Sequence, residues 1–189
     1  MEEEMERWRE MMRFANEHPD LPEQPPLSSF QTQSCLGSSP LHFAALSDNL
    51  EMASLLLDHN VDPNASNYYG ETPLHWACHK GHTQMILPLL ASGADINQAD
   101  HDGETPLHWC VREENWKAIQ LLLLLGASSK LENSDSMTPL QLARDQQAWR
   151  CILLLHLREC RAINSMLVGH KRSSSQPASP SPLPTQTPP

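Results

Sequence analysis

Aromatic residues other than tryptophan are scarce. Three Phe and two Tyr stand against 16 Pro in 189 residues, a balance too poor to draw the whole chain into one core, and the prolines crowd toward the two ends. Positive charge is also short, with 13 Lys and Arg against 23 Asp and Glu. The resulting formal charge of −10 argues against nucleic acid as a partner, because phosphate binding needs a cationic surface that releases counterions. No long apolar run exists: the leucine stretch Leu121 to Leu125 is far short of a membrane span. The start, Met followed by acidic residues, lacks the charged-then-apolar plan of a signal peptide. Five cysteines (Cys35, Cys78, Cys110, Cys151 and Cys160) form no Cys-x-x-Cys pair, which fits a reducing interior. A soluble protein of the cytoplasm or nucleus, with no membrane partner, is the expectation.

Reactive constellations are equally sparse. There is no phosphate-cradling glycine loop, no pair of catalytic carboxylates and no hydrolase elbow. His75, Cys78, His79 and His82 have spacings seen among zinc ligands on a helix, but the first and last fall on recurring positions with a structural use. His108 and Cys110 are two apart, so on a short helix they point different ways. The chain therefore reads as non-enzymatic, with no metal and no cofactor.

What is present is a period. Ser or Thr, then Pro, then Leu recurs at Pro40, Pro73, Pro106 and Pro139, a fixed step of 33 residues. Ser39, Thr72, Thr105 and Thr138 can accept orphan N–H groups of a first helical turn, and the proline sits where a missing N–H costs nothing. Leu74, Ala77, Met85, Ile86, Leu89 and Leu90 give apolar helical spacing over two short helices divided at Lys80-Gly81-His82. Gly93 and Gly126 stop the second helix in a left-handed conformation, and Asn60 stands in for them in the first copy. Pro88, inside the second helix of its unit, is expected to bend it. One such unit cannot bury its own apolar face, whereas several stacked side by side share a core.

The period and the motif, with His42, His75 and His108 in three of the copies, resemble the ankyrin repeat over roughly residues 34–165. The fold class expected is all-α: an ankyrin-repeat solenoid of about four helix-turn-helix repeats with β-turn fingers, plus an N-terminal helix and a disordered C-terminal tail. Residues 1–18 form an acidic amphipathic helix that either caps the first repeat or is offered to a partner, and 19–33 a Pro-rich linker. Repeats follow at 34–66, 67–99, 100–132 and 133–165. The last carries Gln141 for the motif histidine and Ser136 for the finger glycine, and its polar character marks a cap. Glu159 occupies its glycine-stop position, so the final helix is expected to extend to about residue 168. Residues 169–189, rich in Ser and Pro, should be disordered.

The resemblance implies a concave groove, made of finger tips and inner helices, that grips protein partners. The matching positions are Leu36, Tyr68, Tyr69, Glu71, Trp76, His79, Lys80, His101, Asp102, Glu104, Trp109, Arg112, Glu113, Asp135 and Met137. Tyr and Trp anchor interfaces because they bury much area at little entropic cost; Trp76 and Trp109, one repeat apart, are expected to stack as neighbours. Residues 34–132 hold 12 acidic and 4 basic side chains, and Asp95, Asp100, Asp102 and Glu104 cluster at one finger, which would steer a basic segment of a partner. In the tail, Arg172 through Pro177 resembles the phosphoserine motif bound by 14-3-3 proteins, centred on Ser175, and Ser179, Ser181 and Thr187 each precede proline. The reading is a monomeric interaction adaptor or scaffold. Its alternative is a regulatory inhibitor subunit or a substrate receptor of a larger assembly such as a ubiquitin ligase.

Overall fold

The computed structural model describes residues 37–158. The N-terminal helix, the linker, Leu36, the extension of the final helix, Ser175, Ser179, Ser181 and Thr187 lie outside the described residues. Within them are eight helices in four pairs and no strand: α1 (Pro40–Leu46) with α2 (Leu50–Asp58), α3 (Pro73–Lys80) with α4 (Thr83–Ala91), α5 (Pro106–Arg112) with α6 (Trp116–Leu124), and α7 (Pro139–Asp145) with α8 (149–158). The odd-numbered helices are neighbours in one inner row, and α2, α4 and α6 in an outer row. This is an all-α repeat solenoid.

Each inner helix starts as the motif requires. Ser39, Thr72, Thr105 and Thr138 have extended backbones at the N-cap, with proline in the first turn. The reciprocal partner three residues on is a histidine in three copies and Gln141 in the fourth. Both arms of this capping box are present in all four copies, so the hydroxyl cap read from sequence is completed by a reciprocal side chain three residues on. Thr138 accepts from the Gln141 N–H at 3.3 Å. In the other copies the Ser or Thr hydroxyl turns to the imidazole, 2.8 to 2.9 Å from Nδ1.

The core is a set of columns one repeat apart. Leu41, Leu74, Leu107 and Leu140 form one, Ala44, Ala77, Cys110 and Ala143 a second, and Leu56, Leu89, Leu122 and Leu155 a third, all buried. Each fully buried leucine contributes roughly 1.5 to 3 kcal/mol, and since neighbouring repeats complete each column, no pair stands alone. Cys78, Cys110 and Cys151 are free thiols in this core; burial pushes the Cys110 and Cys151 thiols above their ordinary range. Helix α4 runs from Thr83 to Ala91 with Pro88 inside it.

Left-handed residues punctuate the stack with the same step. After each inner helix come Asp48, Gly81, Glu114 and Gln147, with φ of 54, 72, 52 and 57°. After the outer helices come Asn60, Gly93 and Gly126, with φ of 58, 95 and 101°. In the fingers, Gly70, Gly103 and Ser136 have φ of 80, 74 and 58°. At Gly70 a Cβ would also come within 2.7 Å of the His101 backbone nitrogen. Gly70→Ala should therefore cost about 2 to 4 kcal/mol, from left-handed strain and overpacking together. The check is the unfolding free energy from urea titration, with Ser136→Ala, at a position that already carries a Cβ, changing it by less than about 0.5 kcal/mol.

Candidate functional site

Three fingers are built alike. The Asn67 side-chain oxygen accepts from the Tyr69 and Glu71 N–H groups, 2.9 and 3.0 Å away. Asp100 does the same for Asp102 and Glu104, at 3.0 and 2.8 Å, and Asn133 for Asp135 and Met137, both at 3.0 Å. Inside each loop the residue four along closes a backbone bond, as Glu71 does by accepting from Asn67 N–H at 3.0 Å. Asx side chains mimic a backbone turn in this way, so each tip is held by main-chain and side-chain bonds at once.

Neighbouring fingers are then tied together. His101 N–H donates to the Tyr69 carbonyl and Ser134 N–H to the Asp102 carbonyl, each at 2.9 Å. The histidines brace the same joint from below. His75 Nδ1 accepts the Thr72 N–H at 3.0 Å, which leaves the proton on Nε2, and Nε2–H donates to the Glu104 carbonyl of the next finger at 3.0 Å. His42 bonds Ser39 and Glu71 likewise, and His108 bonds Thr105 and Met137. All three rings are fully buried. Desolvation lowers their pKa values below the ordinary 6.5, against the opposing pull of the backbone carbonyls. With both nitrogens of His75 committed, the ring has no lone pair for a metal. His82 Nε2 bonds the Leu46 carbonyl at 3.1 Å, and among the described residues no three such side chains gather.

The positions proposed for the groove divide into two groups. Tyr68 and Tyr69 are 66% and 57% exposed, and Lys80, His101, Asp102, Asp135, Arg112 and Glu113 are also exposed, with Glu71, Trp76, His79, Trp109 and Met137 half-buried. Glu104 departs from the expectation. It is 5% exposed, clasped by the Arg112 guanidinium and by Asn133 Nδ2 at 3.2 Å, and the ion pair in turn lifts Arg112 above its ordinary range. Its carboxylate braces one repeat against the next and offers nothing to a partner. Asp100 is likewise absorbed, its second oxygen accepting the Trp109 indole N–H at 2.8 Å. Glu71 accepts from the Trp76 indole at 2.8 Å and from Asn67 at 2.7 Å.

Trp76 and Trp109 do not stack on each other among the described residues. Trp76 meets His42 and Phe43 edge-on, with centroids 5.2 and 5.9 Å apart, and Trp109 meets His75 and His79 at 5.7 and 5.6 Å. Each indole packs back onto rings of the preceding inner helix, so part of its surface is structural. His79 also lies 3.1 Å from Glu113, a solvent-screened contact worth little.

Sequence reading marked His82 as structural and Asp100 as part of an acidic finger, but passed over the other polar residues at the joints. Asn67, Asp100 and Asn133 repeat at 33, as do Asn64 and Asn97, whose side-chain oxygens accept from Asp95 and Ser128. So do His82 and Asn115, which reach back to carbonyls of the preceding inner helix. Aligning polar as well as apolar positions on the period would have found them.

A stack of helix pairs with pinned fingers and exposed tip side chains is the architecture of a repeat-built protein-interaction module. The family described as ankyrin repeats (three copies) matches residues 24–100 and 89–164, and the chain belongs to it. Members of that family serve as protein-protein interaction domains and are typically non-enzymatic. No curated protein matches the sequence. Among the described residues no helix is long and apolar enough to cross a membrane.

Proposed function

We propose that the chain is a non-enzymatic adaptor that grips a protein partner along its finger tips and inner helices. The observation that carries this is the pair of exposed tyrosines on a tip whose backbone is already fixed. Tyr68 closes over Gly37, where an added Cβ would lie 2.8 Å from the ring, and Tyr69 follows the Asn67 turn bond. Large, amphipathic rings on a preorganised loop lose little entropy on binding, which is the character of interface anchors. His101, Asp102, Arg112 and Glu113 continue the surface along the stack.

Tyr68→Ala/Tyr69→Ala should leave the unfolding free energy within about 1 kcal/mol of wild type, because both side chains are exposed. Proteins recovered by proximity labelling in cells should nevertheless fall by about tenfold or more, the loss expected of about 1.4 kcal/mol at an anchor. An unchanged set of labelled proteins from a folded double variant would remove the groove from the mechanism.

A further inference from the structure

Building on the groove as the binding surface, on which the inference depends, we propose that the finger tips receive a basic, proline-containing segment in the polyproline II conformation. Its proline would pack on Tyr68 and Tyr69, and two Lys or Arg side chains would come next on the same face, at every third residue.

The tips form one column. Tyr69, Asp102 and Asp135 are equivalent positions in successive fingers and all are exposed. The backbone bonds between fingers hold them in register. Most acids nearby are used up internally: Glu71 by Asn67 and Trp76, Asp100 by its turn and Trp109, Glu104 by Arg112 and Asn133. The carboxylates of Asp102 and Asp135 make no hydrogen bond or ion pair among the described residues. Arg112 feels Asp135 but is committed to Glu104. An aromatic pair thus leads into two outward carboxylates, one per repeat.

Spacing selects the ligand's conformation. Packed helices lie about 8 to 10 Å apart, which sets the step between equivalent tips. A polyproline II segment has three residues per turn and rises about 3.1 Å per residue, so every third side chain returns to one face after about 9.3 Å. A β-strand alternates faces, so residues three apart point to opposite sides. Exposed aromatics are the usual seat for proline in this conformation. Residues 37–158 carry 14 acidic and 7 basic side chains, a field that attracts a cationic segment and slows an anionic one.

The test is fluorescence anisotropy of the full chain with a labelled synthetic peptide, two prolines followed by arginine at the third and sixth positions in an alanine and glutamine background. A second peptide of the same composition has its arginines at the second and fourth positions. The regular peptide should bind at least about tenfold more tightly. Asp102→Asn/Asp135→Asn should weaken it about tenfold and flatten the salt dependence, whereas Tyr69→Ala should weaken it with the salt dependence kept. Equal binding of both peptides, no binding of either, or indifference to the aspartate substitutions overturns the proposal. If the peptides fail while proximity labelling still depends on Tyr68 and Tyr69, this inference falls and the groove reading stands; if the labelling too is indifferent, both fall.

Discussion

Unfolding free energy is expected to drop by up to about 4 kcal/mol for each pH unit below about 6.5, with three protons taken up on unfolding at about 1.4 kcal/mol each per unit. The source is His42, His75 and His108, whose folded pKa values are lowered chiefly by desolvation. The unfolded chain binds these protons near 6.5, while the folded chain refuses them until a lower pH. Stability is therefore intact above the unfolded value, declines through the window down to the folded values, and gains no further slope from these groups below it. Geometry gives the same sign, because Nδ1 of each ring is already an acceptor for a backbone N–H, and protonating it would set donor against donor. Each ring also has neighbours that bias it. At His42, Glu71 favours the charged form and His75 the neutral one; Asp100, Glu71 and Glu104 act on His75; Glu104 and Asp100 oppose Arg112 at His108. Urea titrations at a series of pH values supply the slope. A flat profile between about pH 7 and 5 would mean that the imidazoles are not held neutral.

His75→Ala is expected to cost about 3 to 5 kcal/mol. It leaves the Thr72 N–H and the Glu104 carbonyl, both in buried residues, without the imidazole that joins them, at about 1 to 3 kcal/mol each, and it opens a void beneath Trp109. His75→Gln should recover about half. In the fourth repeat Gln141 Oε1 accepts from the Thr138 N–H at 2.7 Å, so the cap survives the exchange, but nothing then reaches the next finger. The same comparison explains why glutamine suffices at Gln141: no finger follows α7 among the described residues, so no carbonyl there needs a donor. Urea midpoints for the two variants decide the matter, and a loss below about 1 kcal/mol for the alanine variant would show that the joints are held by apolar packing alone.

The repeat step, the prolines, the caps and the buried columns were legible because each follows from a local rule repeated four times. Asn60 and Ser136 were legible for the same reason, since left-handed backbone is demanded at fixed places. The acidic cluster was legible only in part, with Asp95 and Asp102 exposed as expected and Glu104 buried. A local count of charge treats Asp95, Asp100, Asp102 and Glu104 as one field, yet Glu104 turns inward because Arg112 and Asn133, eight and 29 residues away in sequence, both reach its carboxylate. The tryptophans illustrate the same limit: their ring partners and the acceptors of their indole N–H groups come from side chains that only the folded register brings near. Which tip residues remain available to a partner thus depended on which were already occupied at the joints.

Asp48, Glu114 and Gln147 hold a backbone geometry after their inner helices that glycine would adopt freely and that a side chain makes unfavourable by about 1 to 2 kcal/mol. Three of the four hairpins are thus poor folders in isolation, and the ladder of imidazoles, asparagines and stacked columns must make good the deficit. In a linear array with weak links and strong couplings, opening one member forfeits two junctions at once. Such an array resists partial melting, which keeps the row of finger tips in line as a single stiff ruler.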